Sequence, residues 1–473
     1  MKAVDGVKPA ALAASEATGA SRQRYVLVGL LFLHTVNTYV DRVCISAAAP
    51  DIQRDLGLSN QTMGYIFGIF SLGYGLFQIP AGWMADTYGP RKSLAGVVSL
   101  WSAFTALTGA AAGALSLLVV RLLFGVAEAG AFPGATRALY NWLPVRERGL
   151  AQGIFHSGAR VGAALSFFLI PLLIGLLGWR GAFVACGLGG FVWVAVWWWW
   201  FRDKPEDHPR VGAAELNHIR GGLNEDFSAA RRIPLGLILT SPNMLLLMFQ
   251  ALASNFTVYL TLSWLMPYLV SQWGTGAQVY AAIPPIVATL SLWSSGWLVT
   301  WLYNRGHHVG SRTWVAMGGF ALSAAALLLL TQAQSIGAFI ALYSVALFCV
   351  ESSLAPNWTA CMDIGGEKSG VVSAAMNMVG NLGAALCAIV FPYFVAHVTL
   401  PYFAEASGTA NSYFVFAAAI NALAAVAWAF INPRRKLPDA PPPGQARRRV
   451  VVFIGALMLL TAGLIVYRVF FVK

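Results

Sequence analysis

Six charged residues stand inside stretches of chain that are otherwise apolar: Asp41, Arg42, Arg121, Glu128, Arg160 and Glu351. A charge at mid-bilayer costs about 3 kcal/mol or more, so an ionisable group within a membrane span is a functional candidate by default. The types present are complementary. A guanidinium is a fixed positive charge whose planar fork takes a carboxylate through two hydrogen bonds. A carboxyl in such surroundings is pulled both ways, since desolvation holds its proton and a neighbouring Arg expels it. Small movements then shift the proton. If an empty site pairs Arg with its own acid, protonating that acid frees the Arg for an external anion, and anion binding is coupled to H⁺. Glu128 follows Arg121 by two helical turns, on one face. With a rise of about 1.5 Å per residue, Asp41 lies roughly 24 Å along its span and Arg121 about 9 Å below the opposite surface. Those depths match, so Asp41 and Arg42 can meet the upper end of an Arg–Glu ladder. Read structurally, the same residues would be ion pairs holding helices together. His34 and His156 join these residues; His34, seven residues before Asp41, could share its face but reads more plainly as a satisfied interior histidine than as a proton relay.

The elements that must position these groups follow from composition. Of 473 residues, 58% are apolar and 11% charged, against about 25% charged in a typical soluble chain. Mean hydropathy is +0.65. Stretches of the roughly 20 apolar residues that cross a bilayer fall near 25–49, 62–85, 93–112, 115–138, 149–175 and 180–201. Six more lie near 243–271, 278–303, 312–331, 335–360, 369–397 and 411–431, and a last near 450–472. The organisation expected is a disordered tail 1–24, a six-helix bundle 25–201, a central loop 202–240, and a second six-helix bundle 241–432. A Pro/Arg-rich linker 433–449 and one additional C-terminal transmembrane helix, 450–473, complete it. The fold class is thus an all-α membrane protein of two six-helix bundles with one additional C-terminal transmembrane helix.

Lys and Arg in short loops stay cytoplasmic. The tail, Arg91/Lys92, Arg137/Arg146/Arg148, Arg202 to Arg232, Arg305/Arg312, Lys368 and Arg434/Arg435/Lys436 fall on one side, with Arg54 and Arg180 opposite. A multi-pass protein of the cell membrane, such as a bacterial inner membrane, is expected, with its N-terminus cytoplasmic and its C-terminus outside. The net charge of +12 lies in these loops, which points to lipid and away from nucleic acid. The last span offers no charged residue before Arg468 and, apart from Thr461, no polar one before Tyr467; it reads as a lipid-facing helix on a monomer, or an oligomer contact. Five cysteines without CxxC spacing read as buried thiols, and no metal or cofactor is expected. There is no nucleophile–base spacing and no phosphate-binding loop, so neither an enzyme nor an ATP-driven pump is expected.

Gly82-Trp-Met-Ala-Asp86-Thr-Tyr-Gly89-Pro-Arg91-Lys92 joins the second and third spans. An Asp at that helix end can cap a neighbouring N-terminus and pair with Arg, forming a latch between inward- and outward-open states. The segment resembles the signature of the major facilitator superfamily, with Thr87 where the pattern prefers Arg. Its second-half counterpart has Gly296 and, in place of Asp, Thr300, so a weaker gate is expected there.

Further stretches narrow the resemblance. Tyr39-Val-Asp41-Arg42 lies in span one, and Arg121-Leu-Leu-Phe-Gly125-Val-Ala-Glu128-Ala-Gly130-Ala-Phe-Pro133 in span four. Ser263-Trp264-Leu-Met-Pro267-Tyr268-Leu lies in span seven, followed by Trp358, Asp363, Gly370, Ser373, Asn377, Gly380, Asn381 and Gly383. Together these resemble the anion:cation symporter family of the major facilitator superfamily, which includes bacterial galactonate, glucarate and hexuronate transporters and sialin-like carriers. The resemblance implies the major facilitator fold and proton-coupled symport of a small organic anion, a sugar acid or other carboxylate, by alternating access. It implies Asp41 and Glu128 as proton carriers, Arg42 as the coupling group, and Arg121 as the grip on a substrate carboxylate. Tyr39 and Tyr74 would line the site from one half, with Trp358 and Asn377 facing them. Arg160 falls where sugar-acid carriers tend to be neutral, which favours a more acidic cargo. Other readings are an exporter or facilitator of another anion, such as an aromatic acid, or a non-transporting sensor.

Overall fold

The computed structural model describes residues 21–220, 235–397 and 410–437. The expected last helix at 450–473 and most of the tail and linker lie outside the described residues. Within them are α-helices and short 3-10 turns, and no strand.

The first half runs α1 (Gln23–Leu56), α2 (Asn60–Tyr88), α3 (Pro90–Thr108), α4 (Ala114–Glu128), α5 (Ala131–Trp142) and α6 (Arg148–Trp200). Its boundaries have local causes. Gly57, at φ 64°, closes α1 in a left-handed turn, and the Ser59 hydroxyl caps α2 by accepting from Thr62 N at 3.1 Å. Gly178, at φ 69°, divides α6 into the two spans expected there. Positive φ is a conformation that glycine adopts at least cost. After α7 (Ala213–Arg220) and α8 (Leu235–Thr240), the second half begins with α9 (Pro242–Ser263) and α10 (Leu265–Trp273). It continues through α11 (Ile283–Asn304), α12 (Gly310–Leu330), α13 (Ile336–Glu351), α14 (Leu354–Gly365), α15 (Ser369–His397) and α16 (Asn411–Phe430).

Spans four and ten are both broken, and for the same reason. Each carries Glu, then Pro five residues on, then Thr three further: Glu128, Pro133, Thr136 and Glu351, Pro356, Thr359. A helical proline lacks an N–H and clashes with the carbonyl four residues earlier, here those of Ala129 and Ser352. α4 ends at Glu128 and α13 at Glu351, and α5 and α14 start just beyond. Thr136 and Thr359 each bond back to the carbonyl four residues before, at 2.9 and 2.7 Å. The two acids thus occupy corresponding helix breaks in the two halves.

Packing distinguishes the two ends of the molecule. At the end bearing the start of α1, one apolar core runs through both halves, from Leu27 and Trp101 through Phe132 and Phe155 to Trp358, Met376 and Trp428. At the other end the cores are separate: Cys44, Ile66 and Phe183 in the first half, Phe256, Leu330 and Tyr413 in the second. Phe168, Leu115 and Phe430, each more than two-thirds exposed, belong to an apolar perimeter suited to lipid.

Candidate functional site

A cleft with about 740 Å³ of empty space, part of it open to solvent, lies between the halves. Tyr39, Arg42, Tyr74, His156 and Arg160 face it from the first half, and Asn255, Tyr259, Glu351, Trp358 and Asn377 from the second. Arg42 Nε donates to Glu128 Oε1 at 2.7 Å, with its guanidinium over the rings of Tyr39, Phe70 and Tyr74 at 5.2, 5.2 and 4.6 Å. Cation–π contacts of this kind favour Arg where water is excluded. Asp41, one residue earlier on α1, points the other way. It is fully buried and accepts from Trp101 Nε1 at 3.1 Å and Asn37 Nδ2 at 3.3 Å.

Not every expected ligand reaches the wall. Asp41, Arg121 and Glu128 are buried and stand one layer behind the cavity lining. Arg121 lies against Phe70 and Phe124, its guanidinium 5.4 and 4.5 Å from their rings. The acid of the expected Arg121–Glu128 ladder is paired instead with Arg42, which comes from α1 at the α4 break. Among the described residues, Asp41 Oδ1, Glu128 Oε2, Arg121 Nε and Arg42 Nη2 are buried without a hydrogen-bond partner. Orphaned buried polar atoms cost about 1–3 kcal/mol each, and these four lie on α1 and α4. Among the described residues no cluster suited to a metal occurs.

A second Arg–Glu pair closes the opposite wall. Arg160 on α6 bonds to Glu351 at the end of α13, so this pair joins one half to the other. Beside it the Asn377 amide donates to the Tyr74 hydroxyl at 3.3 Å. The His156 ring lies 4.9 Å from that of Trp358 and stacks on Phe132 at 5.4 Å.

The end with the continuous core is clasped by polar contacts. Asp86 caps α15, accepting from Gly370 N at 2.9 Å and Val371 N at 2.8 Å, with Arg137 Nε at 3.8 Å. Gly82 allows this approach: a Cβ there would meet the Gly370 carbonyl at 2.5 Å. Asp363 accepts from Arg148 of the first half and Arg312 of the second, at 2.9 and 3.1 Å. Gly89 and Arg91 act within the first half. Asp203 accepts from Arg91 N at 2.8 Å and crowds Gly89, which sits at φ 84°. The counterpart gate is made: Thr300 Oγ1 accepts from Leu150 N at 3.1 Å, at the start of α6. A neutral hydroxyl does there what a carboxylate does at Asp86. Among the described residues, the hydrogen bonds and ion pairs between halves fall at this end and around the cavity.

Two bundles enclosing such a cavity agree with a profile match: residues 31–388 match that of the Major Facilitator Superfamily. The chain belongs to that superfamily. It is 32% identical over 419 residues, 87% of this chain and 94% of the relative, to a probable sulfoacetate transporter of Cupriavidus necator. A hexuronate transporter of Bacillus subtilis is 28% identical, covering 77% of this chain and 87% of its own length. A probable galactarate/D-glucarate transporter of the same organism is 29% identical, covering 85% and 90%. These relatives agree with the anion:cation symporter resemblance. The solved proton:xylose symporter XylE shares the fold at a TM-score of 0.65 and 13% identity, covering 88% of this chain and 97% of that one. As a superfamily member the chain is a multi-pass membrane protein and not an enzyme.

Asn255 and Tyr259, uncharged and unremarkable in sequence, also line the cavity. Their spacing of four residues within apolar α9 puts both on one helix face, a signal that could have found them.

Proposed function

We propose that this protein carries a small organic anion by alternating access, with uptake driven by protons. The observation that carries this reading is the Arg42–Glu128 pair on the cavity side of the α4 break, at 2.7 Å and with Glu128 Oε2 unpartnered. Arg42 is the anion ligand of this pair, on the cavity wall. Protonating Glu128 removes its hold on the guanidinium and releases the fork for a substrate carboxylate or sulfonate. Asp41, behind the wall, is the second proton carrier. Arg121, between the two acids and two turns from Glu128, sets the charge they feel and joins the anion site when the helices move. Tyr39, Tyr74, Trp358 and Asn377 shape the cavity around the cargo. Relatives named for sulfoacetate, hexuronate and galactarate/D-glucarate support an organic anion.

With basic loops in the cytoplasm, the clasped end is cytoplasmic and the end with separate cores opens outward. The gating residues are Gly82 and Asp86, which touch the other half, with Gly89 and Arg91 holding their loop. The test is uptake into proteoliposomes, with galactarate and sulfoacetate as probes, under an inward proton gradient. Wild type should concentrate one of them and lose this with an ionophore. Glu128→Gln should exchange it without concentrating it; normal accumulation by that variant would sink the coupling scheme.

A further inference from the structure

The first Arg–Glu pair is enough to bind one anionic group and couple it to a proton, and it leaves the second without a task. Arg160 and Glu351 line the same cavity as Arg42. Glu351 is the repeat partner of Glu128, at the same position before a proline-made break, so of two first-half guanidinia one is tethered to an acid of its own half and the other to an acid of the second half. Both guanidinia serve one compartment, which Tyr39 and Tyr259 line with them. Each guanidinium has a donor left over, for Arg42 Nη2 and Arg160 Nε are buried without a hydrogen-bond partner among the described residues. Much of the remaining wall is neutral and hydrogen-bonding, from Ser254, Asn255, Asn377 and Asn381, which suits an uncharged middle.

We propose that the cargo is a dianion with an acidic group at each end, and that Arg160 is its specificity-determining residue, leaving Glu351 to take the second group. The inference rests on the organic-anion reading above. A monoanion satisfies Arg42 alone and leaves the Arg160–Glu351 tie between the halves in place. A dianion takes Arg160 away from Glu351 and spans two guanidinia of the first half, so only the full-length cargo loosens the halves as it binds. A lone Arg160–Glu351 tether with a purely structural role would affect all ligands alike.

The experiment is calorimetric titration of the full-length protein in nanodiscs with matched pairs, galactarate against galactonate and sulfoacetate against acetate. Wild type should prefer the dianion of a pair by about tenfold or more, the worth of one charge-assisted hydrogen bond. Arg160→Gln should bring that ratio close to one, and Arg160→Lys should restore part of it. Glu351→Gln, which leaves Arg160 untied, should keep or raise the preference. Equal binding of both members by wild type overturns the inference while leaving the organic-anion reading standing. So does an unchanged ratio in Arg160→Gln, or a collapse of the ratio in Glu351→Gln. Absence of binding by every probe overturns the organic-anion reading, and this inference with it.

Discussion

Arg42 shows what a single side chain contributes. Its fork holds Glu128 with one nitrogen while aromatic rings flank its plane, a geometry that a flexible ammonium cannot reproduce. Arg42→Lys should therefore weaken anion binding by about tenfold to a hundredfold, the loss of one charge-assisted hydrogen bond, with folding retained; titration checks it, and unchanged affinity would remove Arg42 from the site. Asp41→Asn is expected to act differently. The side chain is fully buried, away from the cavity wall, so binding should persist while proton-driven accumulation fails. These charges were legible because apolar spans make any charge conspicuous. Their pairing was not, since helical spacing fixes a residue's azimuth and leaves its partner to tertiary packing. Arg121 shared a face with Glu128 as the spacing implied, yet Phe70 and Phe124 lie against its guanidinium while Arg42 takes the acid. Glu351 was harder to assign alone, although its Pro356 and Thr359 repeat the setting of Glu128 and would have identified it.

At the scale of elements, the clasp is two helix caps made with different chemistry. Asp86 meets the N-terminus of α15 with a carboxylate, and Thr300 meets that of α6 with a hydroxyl. A charge at a helix N-terminus is worth about 0.3–1 kcal/mol. Thr300→Asp should thus deepen the clasped state by up to about 1 kcal/mol and slow turnover, whereas Asp86→Asn should loosen it; cysteine accessibility at the clasped end reports both. The sequence pattern predicted a weaker gate at Thr300, and the cap found there is uncharged but formed. A second device at this end responds to pH. Burial acts to raise the Glu147 carboxyl, but hydrogen bonds from Arg24 and His218 outweigh it and hold it below its ordinary 4.5. A lowered carboxylate pKa contributes stability that is complete above the unfolded value and lost as pH falls through the folded one. The docking of Arg24 against Glu147 should hold at pH 6 and loosen below about 4.5, seen as faster amide exchange at the start of α1. No change across that window would contradict it.

For the whole molecule, the question is how one end opens as the other closes. The two ends are held by unlike forces. At the clasped end the halves share an apolar core but are tied by polar contacts. Each such contact nets about 1 kcal/mol, because water takes over when it breaks. At the open end the cores are separate, and joining them would bury apolar surface at about 25 cal/mol per Å². Closure there can offset the opening of the clasp, so the two states lie close enough for a ligand to choose between them. Spin labels at Arg54 and Gln332, on the open end of each half, should approach one another when substrate binds at low pH. Labels at Arg146 and His307, on the clasped end, should move apart in the same titration. Distances that shorten at both ends would mean compaction, and a change at one end alone would mean a local gate. Only reciprocal movement fits two halves rocking about a shared site, and the substrate concentration that drives it should be the same at both ends.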